Sequence, residues 1–121
     1  MLTKYLSRRE KKKIRIKKKI FGTSERPRVS VYRSLTQIYA QVIDDTVGKT
    51  LFSASSLSKE IADDIKKAEG KVAKAAIVGE FLAKKIKEAG IESVVFDRSG
   101  YAYHGRVKAL CEGIRKGGIK V

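Results

Sequence analysis

"RVSVYRSLTQIYAQVID", residues 28–44, decides how this chain folds. Val29 and Val31 alternate with Ser30 and Tyr32; then Ile38, Ala40 and Val42 alternate with Gln37, Tyr39 and Gln41. A period of two sends alternate side chains to opposite faces of a strand, so each stretch predicts a half-buried strand with one apolar side. The short connection around Leu35 and Thr36 suits a hairpin. If Val29, Val31, Ile38, Ala40 and Val42 face the core, then Ser30, Tyr32, Gln37, Tyr39 and Gln41 face away from it.

Working outward toward the C-terminus, "DDTVGK" is a loop in which Gly48 supplies a positive φ, and "TLFSAS" (50–55) is a third strand. Three strands in tandem with short links imply antiparallel pairing. Residues 56–70 are polar and predict a loop with a helical turn. From Lys71 to Ala89 the period changes to that of a helix, with Val72, Ala76, Gly79, Ala83 and Ile86 in one stripe, widened by Ala75, Leu82 and Ala89. Gly90 stands where a C-terminal cap belongs. "ESVVFD" (92–97) is a short strand, "RSGYAYHG" (98–105) a loop, and a last helix runs from about Gly105 to Lys116 with Val107, Leu110, Cys111 and Ile114 inward. The expected fold class is α/β: a β-β-β-α-β-α mixed sheet with helices packed on one face, plus a basic N-terminal arm.

That arm lies on the other side of the hairpin. Pro27 biases Arg26 toward extended backbone, and Gly22 with "TSERP" forms a hinge. Residues 1–22 are therefore separated as a basic arm, disordered or helical on binding, from a globular domain at 23–121. The net charge of the chain is +15. Residues 1–28 hold 12 Lys or Arg against two acids and carry +10, which leaves +5 for the rest. Cations packed this densely repel one another and favour a polyanionic partner, nucleic acid before membrane.

Composition narrows the class further. One Cys and one His preclude an internal disulfide and a Cys/His zinc cluster. A lone thiol suits a reducing compartment, no apolar run approaches the roughly 20 residues that span a bilayer, and no apolar segment of signal-peptide type follows the basic stretch. A cytoplasmic protein needing neither cofactor nor metal is expected. The enzyme readings fail on inventory. Asp44 and Asp45 are adjacent at a hairpin tip, where Asp is ordinary turn chemistry. "GKT" at 48–50 lacks the first glycine of a P-loop, since Ile43 stands there. Cys111 sits among apolar neighbours as a core thiol.

Three candidate binding regions follow. In the arm, Arg8, Arg9, Lys11, Lys12, Lys13, Arg15, Lys17, Lys18 and Lys19 attract phosphates through counterion release; the alternative is a solvated tail. On the hairpin, Tyr32 and Tyr39, with Gln37, lie on the open face near Arg28 and Arg33 and offer stacking for unpaired bases. The alternative there is simply the high strand propensity of Tyr. In "DRSGYAYHGR", Arg98 and Arg106 flank the start of a helix whose exposed N–H groups favour an anion; alternatively Asp97 and His104 only hold the loop together.

"KKKIRIKKKIFGTSERPRVSVYRSLTQIYAQVIDDTVGKTLFSAS" and "FDRSGYAYHGRVKALCEGIRKGGIKV" together resemble the bacterial large-subunit ribosomal protein family, eighteenth of its series, that binds 5S ribosomal RNA. The resemblance covers essentially the whole chain and rests on "GTSERPRVSVYRS", "IYAQVIDD", "GKTL" and "FDRSGYAYHGRVKAL". It implies a β-β-β-α-β-α fold, no enzymatic activity, and a role in attaching 5S rRNA to the large-subunit rRNA of the central protuberance, beside neighbouring large-subunit ribosomal proteins. No membrane and no small-molecule substrate enter that role. The family's arginine-rich arm matches Arg8 to Lys19, where Lys now predominates and favours diffuse phosphate attraction over bidentate forks. Its Arg-Pro-Arg stretch falls on Arg26, Pro27 and Arg28, and its strand-end pair on Arg33 and Ser34. Its glycine-rich loop falls on Arg98, Ser99, Gly100, Tyr101, Tyr103, His104, Gly105 and Arg106, with Ser99 where a glycine is common.

Overall fold

A computed structural model describes residues 20–121. The expectations for the arm at 1–19 lie outside the described residues. Strands β1 (Arg28–Arg33), β2 (Ile38–Asp44) and β3 (Lys49–Ser55) follow one another, then a 3-10 turn at Lys59–Ile61 leads into a short helix α1 (Ala62–Lys67). Helix α2 (Gly70–Glu88), strand β4 (Val95–Asp97) and helix α3 (Arg106–Lys116) complete the order. The sheet order is β3-β2-β1-β4. β1 pairs antiparallel with β2, β2 antiparallel with β3, and β1 parallel with β4, so the sheet is mixed as expected.

The hairpin register places Val29 opposite Val42 and Val31 opposite Ala40, with Ser30 opposite Gln41 and Tyr32 opposite Tyr39. Because the pleat alternates, a slip of one residue would exchange the two faces, and the apolar set fixes the register. Val29, Val31, Ile38, Ala40 and Val42 are buried with Val78, Leu82, Ile86, Leu110 and Ile114 from the helices. The turn at 34–37 is closed by the Ser34 N–H donating to the Gln37 carbonyl at 2.9 Å. Gly48 takes φ +63°, as the next loop requires.

The structure changes some of the sequence expectations. Val72 is 54% exposed and Ala89 is also exposed, while Val78 is fully buried. The first turn of α2 buries nothing and its last turn buries only Ile86, so its inward stripe is Ala75, Val78, Gly79, Leu82, Ala83 and Ile86. The fourth strand is shorter than 92–97: it pairs with β1 only over Val95–Asp97, while on its other edge Ser93 bridges Lys120 and the Val94 N–H donates to the Lys120 carbonyl at 2.9 Å. Gly90, at φ +79°, ends α2 with the Ile91 N–H on the Ile86 carbonyl, as its placement foretold.

Candidate nucleic-acid interface

With the helices gathered on one side, the other side of the hairpin stays open. Ser30, Tyr32, Ser34, Tyr39 and Gln41 line a shallow depression there. The Tyr32 and Tyr39 rings are cross-strand neighbours, their centroids 5.9 Å apart and tilted by 38°. Tyr32 is 55% exposed, whereas Tyr39 is half-buried. The exposed ring and its neighbour present aromatic surface of a size and geometry suited to stacking.

At the end of this face the β1–β2 turn meets the 98–105 loop. Tyr101 is buried, its phenol 3.3 Å from both the Arg33 amide and the Arg33 carbonyl, and the Arg33 guanidinium stands 4.8 Å from its ring centroid. Arg106 donates to the Ser34 carbonyl at 2.9 Å. Two cations from distant parts of the sequence are thereby held at the β1–β2 turn. The Gln37 side chain is turned to Ser56, which also accepts from the Ile38 N–H at 3.2 Å and so anchors the start of β2.

Arg28 has a different environment. Its Nε and Nη2 donate to the two oxygens of Asp45 at 2.8 and 3.0 Å, and its Nη1 donates to Asp97 Oδ2 at 2.7 Å. The side chains of Arg28 and Asp97 are only 11% and 1% exposed. The Asp45 hydrogen bonds raise the affinity of the guanidinium for its proton above the usual value; burial opposes them, and Asp97 adds to them. Asp45 is therefore more than a turn residue. Nothing in the local pattern announces it, since its partner comes from the start of another strand.

The remaining candidates spread around the loop. Arg98 is half-exposed and His104 exposed, while Ser99 and Gly100 are buried. Ser99 is the one non-glycine at positive φ among the described residues, +55°, with its N–H on Asp97 Oδ1 at 2.8 Å. Tyr103 lies edge-on to Phe96 and accepts from Arg115 at 3.3 Å. Arg26 is exposed in the turn where Thr23 and Arg26 bond to each other. The candidates in the arm lie outside the described residues. Among the described residues no group of three or more His, Cys, Asp or Glu is placed to hold a metal ion, and no helix is long and apolar enough to cross a membrane.

Fold and surface together define a small, basic α/β protein whose sheet is covered by helices on one face and open on the other. The family model for ribosomal L18 of archaea, bacteria, mitochondria and chloroplasts matches residues 3–121. Large ribosomal subunit protein uL18 of Pelotomaculum thermopropionicum is 58% identical over 112 residues, 93% of this chain and 91% of that one. The uL18 of Dictyoglomus thermophilum is 56% identical over 117 residues, 94% and 95% of the two chains. That of Bacteroides thetaiotaomicron is 55% identical over 119 residues, 98% and 99% of the two. The chain belongs to the ribosomal L18 family and is a structural protein of the large ribosomal subunit, not an enzyme.

Proposed function

We propose that this protein binds 5S rRNA and helps attach it to the large-subunit rRNA, among neighbouring large-subunit ribosomal proteins. The observation that carries this reading is the open sheet face, with Tyr32 and Tyr39 paired and Arg33 and Arg106 held at its end. RNA is read through unstacked bases and its sugar-phosphate edge; the face offers aromatic planes, and the turn at its end offers cations. In this reading residues 1–22 are an arm that neutralises phosphates without selecting a sequence, while the 23–121 domain chooses the RNA. The family resemblance of "GTSERPRVSVYRS" and "FDRSGYAYHGRVKAL" supports 5S rRNA in particular.

The test is a competition titration at near-physiological salt with labelled 5S rRNA. Unlabelled 5S rRNA should displace the label well before an unrelated folded RNA of equal length does. Equal displacement by both would make the protein a general basic nucleic-acid binder instead.

A further inference from the structure

Arg28 lies within the basic stretch around Pro27, yet its surroundings do not suit a phosphate. Its Nε, Nη1 and Nη2 already donate to two carboxylates, which leaves little of the fork to offer an anion. Drawing Arg28 out to a ligand would also strand Asp97, which is almost wholly buried.

The same three groups do connect two other segments. On one side the Gly22 N–H donates to Asp45 Oδ2 at 2.8 Å, and the Asp45 N–H donates back to the Gly22 carbonyl at 2.9 Å. Gly22 is buried against the strands: a Cβ there would stand 2.3 Å from the Arg28 backbone nitrogen and 2.7 Å from the Ile43 carbonyl oxygen. On the other side Asp97 accepts the Ser99 N–H at 2.8 Å, and the Ser99 hydroxyl lies 3.0 Å from that of Ser30 on the open face. An unbroken run of hydrogen bonds thus leads from Gly22 through Asp45, Arg28 and Asp97 to Ser99.

We infer that Arg28 is a positioning residue: its buried fork ties the chain at Gly22, where the N-terminal arm meets the domain, to the 98–105 loop. The inference rests on the reading that arm and loop both face RNA. Only a planar fork serves here, because Nε and Nη2 take one carboxylate while Nη1 reaches the other. A lysine would supply the charge at a single point. Arg28 and Asp97 are 69 residues apart in the chain, and a tie across that separation spares the RNA the cost of aligning the two segments separately.

The full-length chain carries the test, with 5S rRNA as the probe. Asp45→Asn adds one unit of net positive charge, so electrostatics alone would tighten RNA binding. The tie predicts weaker binding, by about tenfold if a tenth of the molecules keep both segments aligned. Arg28→Lys leaves the charge unchanged and should weaken binding similarly. In the free protein, Arg28→Lys should speed amide exchange at Gly22 and at Ser99 together, while the Ile38 amide on Ser56 keeps its protection. Tighter or unchanged binding by Asp45→Asn would overturn the proposal, and so would loss of protection at all three amides alike. If the wild-type chain ignores 5S rRNA, the RNA reading falls, and the Gly22 and Ser99 exchange rates still decide whether Arg28 ties them.

Discussion

Gly79 of α2 and Gly113 of α3 meet where the two helices cross. A Cβ on Gly79 would stand 2.2 Å from the Leu110 carbonyl oxygen and 3.1 Å from the Gly113 Cα. The reverse holds as well, since a Cβ on Gly113 would reach 2.5 Å from the Ala76 carbonyl oxygen. Backbone touches backbone here, and the helices that cover the sheet pack as closely as they do because neither has a side chain at the crossing.

The first prediction concerns that crossing. Alanine has the better helix propensity, by about 0.5–1 kcal/mol, so Gly79→Ala at an indifferent site would stabilise. At this one the obstacle is a carbonyl oxygen rather than the flexible end of a side chain, and overpacking of this sort costs about 1–3 kcal/mol. The expected outcome is a net loss, seen as a lower urea midpoint. A midpoint that holds or rises would mean the two helices can separate freely.

A second prediction follows from Cys111, buried on the inner face of α3. Burial pushes its thiol pKa up from 9.0, outweighing the hydrogen bond with Tyr103 and the positive charge of Arg115 that pull it down. Burial likewise raises the Tyr103 phenol. With folded values raised, the native state keeps protons that the unfolded chain has already released. Stability is therefore fully present below the unfolded thiol pKa and declines as pH rises through and beyond it. Urea midpoints measured between about pH 8 and 10 should fall in the wild type, and fall less steeply in Cys111→Val. Equal slopes in the two proteins would show that the thiol ionises as readily folded as unfolded.

Strand pairing, the open face and the placement of Cys111 were legible because they follow from local periodicity: a repeat of two for Val29, Val31, Ile38, Ala40 and Val42, and 3.6 for α3. The ends of α2 were not. Val72 fits the helical stripe as well as Val78 does, and only the extent of the sheet beneath decides which turn is covered. The junction of Arg28, Asp45 and Asp97 was invisible for a stronger reason. It joins residues 17 and 69 positions apart, and each looks like ordinary turn or surface chemistry in its own neighbourhood. Ser99 is an intermediate case: its departure from the glycine common in the resembling family marks a place where backbone conformation matters, and it does adopt positive φ.

Salt dependence separates the arm from the domain. If the arm neutralises about six phosphates, log affinity for 5S rRNA should fall against log salt with a slope of about −4 to −5. Replacing Lys11, Lys12 and Lys13 together by Gln removes three of those cations and should reduce the slope by about 2. The discrimination between 5S and unrelated RNA should survive, because these lysines meet phosphates and not base edges. A slope that does not move would take them out of the interface.

The tyrosine pair should respond in the opposite way. Stacking acts at short range and carries no charge, so Tyr32→Ala should weaken 5S rRNA binding by about 1–3 kcal/mol and leave the salt slope where it was. Tyr32 stands on the exposed side of the sheet, so its removal leaves the buried set around Val31 and Ala40 intact, and a thermal melt should confirm a folded variant. Tyr32→Phe keeps the ring and loses only the hydroxyl. If Phe binds like the wild type and Ala does not, the ring is what the RNA meets. If both variants weaken equally, the hydroxyl is the group that matters and stacking is wrong. Should neither matter, the two rings sit side by side for the sake of the strands they belong to, and the open face has no part in holding RNA.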